Sequence, residues 1–238
     1  MRKKSSNEQN NRSNNETGTE NLKKGLMYTV GEEIFNSVSH GVGALCSAAA
    51  LAVLIVYAVI KGNGYSIAGA LVYGIALIVL YSMSTVYHIV RTPVAKYVLR
   101  IFDHCSIFLL IAGTYTPYTL RMASKGIALG WVIFGLIWGA AVVGIVLNAV
   151  NIDKLKKIST ACYIFMGWGI ILAMKAVIAT VDIPGIALLV AGGVVYTVGA
   201  VFYALKKYRY MHSVWHIFVL AGSIFHYFSI LLYVLPAD

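Results

Sequence analysis

The sequence predicts an all-α membrane protein with seven transmembrane helices, and its composition is the first observation that supports this fold class. The chain has 238 residues, of which 59% are hydrophobic and 12% are charged. Average globular proteins are about 45–50% apolar and about 25% charged. A soluble domain of this length could not bury so much apolar surface, whereas a lipid bilayer accommodates it.

The second observation is the even division of the apolar residues into seven segments. Each segment is close to the ~20 residues that cross ~30 Å of hydrocarbon as a helix. The segments are too long and too uniformly apolar for the alternating strands of a membrane barrel. We therefore predict helices at Ser37–Ile60, Ile67–Val90, Ile101–Leu120, Ile127–Val150, Ile158–Ala179, Gly185–Leu205 and Val214–Leu235.

The first 30 residues differ from the rest of the chain in composition. They are rich in Asn, Ser, Lys and Glu and carry too little apolar surface to fold. We expect residues 1–30 to form a disordered cytoplasmic tail and residues 31–238 to form one transmembrane domain.

The basic residues predict the orientation of the helices. The net charge is +10, and it is concentrated in the tail and in short loops. One side carries fifteen Lys and Arg residues, and the loops of the other carry only Lys61, Arg121 and Lys125; Lys175 lies near the outer end of the fifth predicted helix. The positive-inside rule then places the N-terminus in the cytoplasm and the C-terminus outside. The same distribution argues against a nucleic-acid partner.

Polar residues that membrane helices rarely carry occur near the predicted cytoplasmic ends of four helices. They are Glu32, Asn36 and His40 in the first, Ser84 and His88 in the second, Asp103 and His104 in the third, and His212 and His216 in the seventh. Ionisable groups are costly in a bilayer and mark functional sites. Their similar depth in four helices favours one shared site.

The spacing of His212 and His216 is typical of metal ligands. On a helix the two residues are about 40° apart around the axis and about 6 Å apart along it, so both can bind one ion. His88 offers a third nitrogen, and three histidines with one open position is the pattern of a catalytic zinc site. A histidine pair bonded to neighbouring helices, or a proton relay, is the structural alternative. Glu32, Asn36 and His40 recur every four residues and form a stripe on one helix face.

In the order and spacing of these motifs the chain resembles the bacterial hemolysin III family. The matching elements are Glu32-xxx-Asn36-xxx-His40, Ser84-xxx-His88, Asp103, the stretch GTYTPY at Gly113–Tyr118, and His212-xxx-His216. That family is similar to the progestin and adipoQ receptors and, more distantly, to alkaline ceramidases. The resemblance implies a multi-pass protein of the bacterial plasma membrane.

The resemblance also implies roles for individual residues. Histidines matching His88, His212 and His216 bind Zn²⁺ in the receptors and ceramidases, an aspartate matching Asp103 contacts the water on the zinc, and a serine matching Ser84 lies beside it. Some of these relatives hydrolyse the amide of ceramide, and pore formation has been attributed to bacterial members.

These observations lead to a hypothesis and two alternatives. The hypothesis is a zinc-dependent hydrolase of a lipid amide or ester that enters from the inner leaflet, with Asp103 as general base and Ser84 as a hydrogen-bond donor. The alternatives are a pore-forming cytolysin and a receptor or sensor with a structural zinc. The sequence determines neither the substrate nor the oligomeric state. A pore formed by several copies of the chain therefore remains an alternative.

Overall fold

The computed structural model describes residues 28–205 and 208–237. The predicted disordered tail, residues 1–30, falls almost entirely outside the described residues.

The described residues form seven long helical segments and no strand. The segments are α1 Val30–Lys61, α2 Gly64–Ile89, α3 Pro93–Ser124, α4 Leu129–Leu155, α5 Lys157–Ile178, α6 Ile183–Ala204 and α7 Met211–Val234. Six of them are long and apolar enough to cross a membrane, while α3 has 32 residues and carries more polar groups. The predicted all-α membrane bundle is confirmed.

Short connections make consecutive helices antiparallel neighbours. α1 packs against α2, α2 against α3, α3 against α4, and α6 against α7. α1 also packs against α7, so the first and last helices of the bundle meet. The end of α2 and the start of α7 consequently lie at the same end of the bundle.

Two helices, α1 and α3, begin seven and eight residues earlier than the apolar segments predicted. α1 begins seven residues before Ser37 because Thr29 and Glu32 form a capping box. In this box the Thr29 amide donates to Glu32 Oε2 at 3.0 Å and the Glu32 amide donates to Thr29 Oγ1 at 3.4 Å. α3 begins at Pro93, which is pre-organised for the first helical position. With 32 residues each, α1 and α3 are about 48 Å long and extend beyond the hydrocarbon core.

The predicted loop at Asn151–Lys157 is largely helical in the structure. One residue, Asn151, leaves the helical region with φ −159° and ψ 81°, and its side chain accepts a hydrogen bond from the Lys154 amide at 3.1 Å. Asp153 in the same turn pairs with Arg100 of α3 at 2.5 Å. The break is therefore a capped kink at Asn151, near the end of α4.

The C-terminal residues contact the end of the bundle that lies away from the end of α2 and the start of α7. The Ala237 amide donates to the Lys61 carbonyl at 2.7 Å, and the Ser66 hydroxyl donates to the Leu235 carbonyl at 2.6 Å. Arg121 donates to the carbonyl of Pro236, next to these C-terminal residues, and to the Thr180 carbonyl at 3.1 Å. Lys61 and Arg121, two of the basic residues assigned to the outer side, thus lie at the same end.

Candidate metal centre

His88, His212 and His216 meet at one end of the bundle. His88 lies in the last turn of α2, and the other two lie in the first two turns of α7. One ring nitrogen from each lies within 4.8 Å of the others. The residues are only 2%, 6% and 2% exposed. This buried cluster can hold a metal ion.

The spacing of the nitrogens suits a tetrahedral ion. Nε2 of His212 lies 3.2 Å from Nε2 of His216. Two nitrogens bound to zinc at 2.0–2.1 Å with a tetrahedral angle are about 3.3 Å apart. Nε2 of His88 is buried and has no hydrogen-bond partner among the described residues. Buried polar atoms in proteins normally have a partner, so this nitrogen fits a ligand role.

Glu33 and Lys96, which were not among the predicted site residues, support His88. Nδ1 of His88 lies 2.6 Å from Glu33 Oε2, and Glu33 Oε1 lies 2.9 Å from Lys96 Nζ. A carboxylate only accepts hydrogen bonds, so Nδ1 is the protonated nitrogen and Nε2 carries the lone pair. Glu33 is three residues before Asn36, a spacing that also shares a helix face, and this was the signal available in the sequence.

Glu32, which was among the predicted site residues, has other contacts. Besides the capping box with Thr29, its Oε1 accepts a hydrogen bond from the Tyr210 amide at 2.7 Å. Tyr210 immediately precedes α7. Glu32 therefore joins the start of α1 to the start of α7.

Asn36 and His40 lie in the interior, next to the three histidines. They are 0% and 3% exposed. The His40 ring stacks on His216 with a centroid distance of 3.7 Å and meets Tyr81 edge-on at 5.0 Å. His40 is not a member of the three-residue ligand group but packs directly against it.

Asp103 and Ser84 border a small cavity beside the histidines. The cavity has a volume of about 30 Å³, and His40, His212 and His216 also line it. This is room for about one water molecule. The side chain of Ser84 lies against the Asp103 carboxylate. The structure thus brings both predicted catalytic residues to the histidine cluster.

Tyr28 and His104 also lie close to the histidine cluster. Tyr28, just before α1, stacks on His212 with a centroid distance of 4.7 Å and an interplanar angle of 7°. His104 also lines the small cavity, and its backbone carbonyl accepts a hydrogen bond from Tyr163 at 2.9 Å. The Tyr28 ring therefore covers one face of the His212 ring and also lies near His88, with a centroid distance of 5.8 Å.

A much larger cavity, which the sequence did not predict, adjoins the small one. Its volume is about 360 Å³, and apolar side chains of α3, α5, α6 and α7 form most of its wall. Five residues line both cavities, and they are Leu80, Ile107, Tyr203, Trp215 and Val219. Ile164, Ile171 and Val190 line the large cavity and are exposed on the outer face of the bundle. The histidine cluster therefore adjoins an apolar space that reaches the membrane-facing surface.

His226 borders the far part of this cavity. Its Nε2 lies 3.1 Å from the Leu189 carbonyl. The contact depends on a glycine, because a Cβ added at Gly192 would lie 2.2 Å from His226 Cδ2. His226 therefore holds α6 and α7 close together beneath the site.

Comparisons with known proteins agree with the motif pattern. A family model described as "Haemolysin-III related" matches residues 28–227. The "Hemolysin-3" protein of Bacillus cereus is 42% identical over 207 residues, covering 87% of this chain and 94% of the relative. The "Hemolysin-3 homolog" of Bacillus subtilis (strain 168) is 39% identical, with coverage of 87% and 96%. The human "Monocyte to macrophage differentiation factor" is 31% identical over 179 residues, covering 71% of this chain and 72% of the relative.

These matches confirm the resemblance to hemolysin III proteins. Together with the apolar helices, they identify the chain as a multi-pass bacterial membrane protein.

Proposed function

We propose, since the chain belongs to the haemolysin-III related family, that it binds zinc through three buried histidines and hydrolyses an amide or ester bond of a membrane lipid. The ligands are His88, His212 and His216. The observation that carries the proposal is the position of this cluster, which shares lining residues with a large apolar cavity. A reactive polar centre beside an apolar space is what a lipid substrate requires.

The donor set favours zinc. Three neutral imidazoles in a buried site are a common ligand set for catalytic zinc, which keeps a fourth position open. Zinc held there supplies a Lewis acid for a carbonyl oxygen and makes a water molecule acidic enough to react near neutral pH.

Asp103 and Ser84 are suited to move and hold a proton at this position. The Asp103 carboxylate borders the small cavity and takes a proton from a water molecule located there. Ser84 lies against that carboxylate and fixes its orientation by donating a hydrogen bond. A positioned general base typically contributes about 10²–10⁴-fold to a rate.

The large cavity is suited to hold the apolar part of the substrate. Its volume of about 360 Å³ falls in the usual range for small-molecule sites, about 300–1,000 Å³. Because Ile164 and Ile171 line it and are exposed on the bundle surface, an acyl chain can enter it from the bilayer. The scissile bond then lies at the histidine end, which the charge pattern predicts to face the cytoplasm.

Metal analysis and a turnover assay test the proposal together. We expect about one zinc per purified chain and loss of that zinc in a His212→Ala/His216→Ala variant. We expect slow hydrolysis of a ceramide or an acyl ester by the wild type, abolished by His88→Ala. Hydrolysis that survives His88→Ala unchanged would refute the enzymatic role.

A cytolytic pore is a second candidate, and the names of the two bacillus relatives favour it. The cavity wall is largely apolar, which suits lipid better than ions. Dye release from defined vesicles separates the two functions, because release that is unaffected by His88→Ala indicates a pore independent of the histidines.

Zinc that raises thermal stability without any turnover indicates a sensor with structural zinc.

A further inference from the structure

We infer that Glu33 is a positioning residue for the metal centre, with Lys96 as its buried counter-charge. The inference rests on the proposed metal centre. Glu33 orients the His88 ring and fixes its tautomer, so that Nε2 faces the position of the ion. Glu33 touches neither substrate nor metal and acts only through His88.

The hydrogen bond from His88 to Glu33 determines the tautomer. Nδ1 of His88 lies 2.6 Å from Glu33 Oε2, a short distance that is typical of a charge-assisted bond. Since Nδ1 donates here, Nε2 is left with its lone pair, and it has no other partner among the described residues. A carboxylate bonded to the second nitrogen of a ligand histidine fixes the ring and raises its basicity toward the metal.

Lys96 keeps the Glu33 carboxylate ionised and in place. Lys96 is 1% exposed, and its Nζ lies 2.9 Å from Glu33 Oε1. The same ammonium donates to the carbonyl oxygens of Tyr87 at 2.9 Å and Val90 at 3.2 Å. An ammonium has three donors, and all three are used. The carbonyls at the end of α2, which lack helical partners, thus gain a donor.

The arrangement matters because His88 is the ligand that comes from a different helix. His212 and His216 lie one turn apart on α7, so the helix itself fixes their separation. His88 must instead be brought to them by α2. Glu33 from α1 and Lys96 from α3 hold the end of α2 from two sides. Their loss would leave a two-histidine site with a loosely placed third ligand.

The test measures metal affinity in the full-length protein rather than activity. Zinc affinity is measured by competition with a chromophoric chelator in one detergent, and Co²⁺ absorption reports the coordination geometry. We expect Glu33→Gln to bind zinc about 10–100-fold more weakly than wild type. Glu33→Asp keeps the charge but is one methylene shorter, and we expect it to weaken binding as well.

Glu32→Gln is the matched control. It removes the same charge one residue away, from a carboxylate that contacts Thr29 and Tyr210 instead of His88. We expect its zinc affinity to equal that of wild type, because Gln keeps a side-chain oxygen that can accept the hydrogen bond from the Tyr210 amide and so retains the contact with α7. If Glu33→Gln is too unstable to purify, Glu33→Asp is compared with Glu32→Asp, because both changes keep the charge and shorten the side chain by one methylene.

Each outcome decides between the inference and the metal centre on which it rests. Wild-type zinc affinity in Glu33→Gln, together with loss of zinc in His88→Ala, overturns the inference alone. Unchanged zinc in His88→Ala overturns the metal centre and the inference with it. Equal losses in Glu32→Gln and Glu33→Gln show a general effect of charge and also overturn the positioning role.

Discussion

Replacing Lys96 with methionine should lower the free energy of unfolding by about 3–5 kcal/mol, the range for breaking a buried ion pair from one side. The Lys96 side chain is 1% exposed, and its Nζ lies 2.9 Å from Glu33 Oε1. Methionine retains most of the apolar stem. It leaves the Glu33 carboxylate without a counter-charge and the Tyr87 and Val90 carbonyls without their donor.

A double-mutant cycle separates the ion pair from the loss of packing. Groups in direct contact couple by about 0.5–3 kcal/mol. We expect the coupling of Lys96→Met with Glu33→Gln to fall in the upper part of that range. The reason is that Lys96 is almost completely buried and Glu33 is only 16% exposed. The double variant should therefore be more stable than the sum of the two single changes predicts.

The assay is equilibrium unfolding of the full chain in mixed micelles of increasing SDS content, with a chelator present so that metal binding contributes nothing. Asp153→Asn is the control, because Asp153 pairs with Arg100 at 2.5 Å but its side chain is 62% exposed. An exposed pair contributes at most about 1 kcal/mol. A Lys96→Met effect as small as that of Asp153→Asn, or strictly additive single changes, would contradict the reasoning.

Three further predictions concern the metal, the cavity and the packing of α6 on α7. A chelator should lower the melting temperature of the wild type but not of His88→Ala, since zinc present at 100 times its Kd adds about 2.7 kcal/mol. Ala200→Phe should reduce hydrolysis of long-chain lipids without changing zinc content, because Ala200 lines the large cavity. Gly192→Ala should lower the melting temperature, since its Cβ would lie 2.2 Å from His226, whereas Gly135→Ala, with nothing within 4 Å, should not.

The number and approximate length of the helices were predictable because the thickness of the hydrocarbon core sets the length of a spanning helix. The residues at which the helices begin and end were harder to predict. α6, predicted at Gly185–Leu205, is found at Ile183–Ala204. The start of α1 was misplaced because it is set by the polar capping box of Thr29 and not by apolar residues. Hydropathy describes the part of a helix in lipid, whereas caps and proline determine where the helix begins outside it.

The candidate site was predictable to the extent that helix geometry fixes it. The spacing of His212 and His216 determines their separation, and the alternation of helix direction brings His88 to the same end. The choice between Glu32 and Glu33 was not determined, because neighbouring residues on a helix point about 100° apart and the sequence does not reveal which one meets His88. The large cavity depends on the packing of four helices and leaves no local pattern in the sequence.

The contacts of α1 give a reason for its polar residues although it supplies none of the three histidines. α1 packs against both helices that carry them, α2 and α7. Glu33 bonds to His88 on α2, Glu32 accepts from the Tyr210 amide at the start of α7, and the His40 ring stacks on His216. Each of these contacts fixes one ligand-bearing helix relative to α1. The first helix therefore sets the distance between His88 and the α7 pair, and among its polar residues Glu33 is the one that bonds directly to a ligand ring.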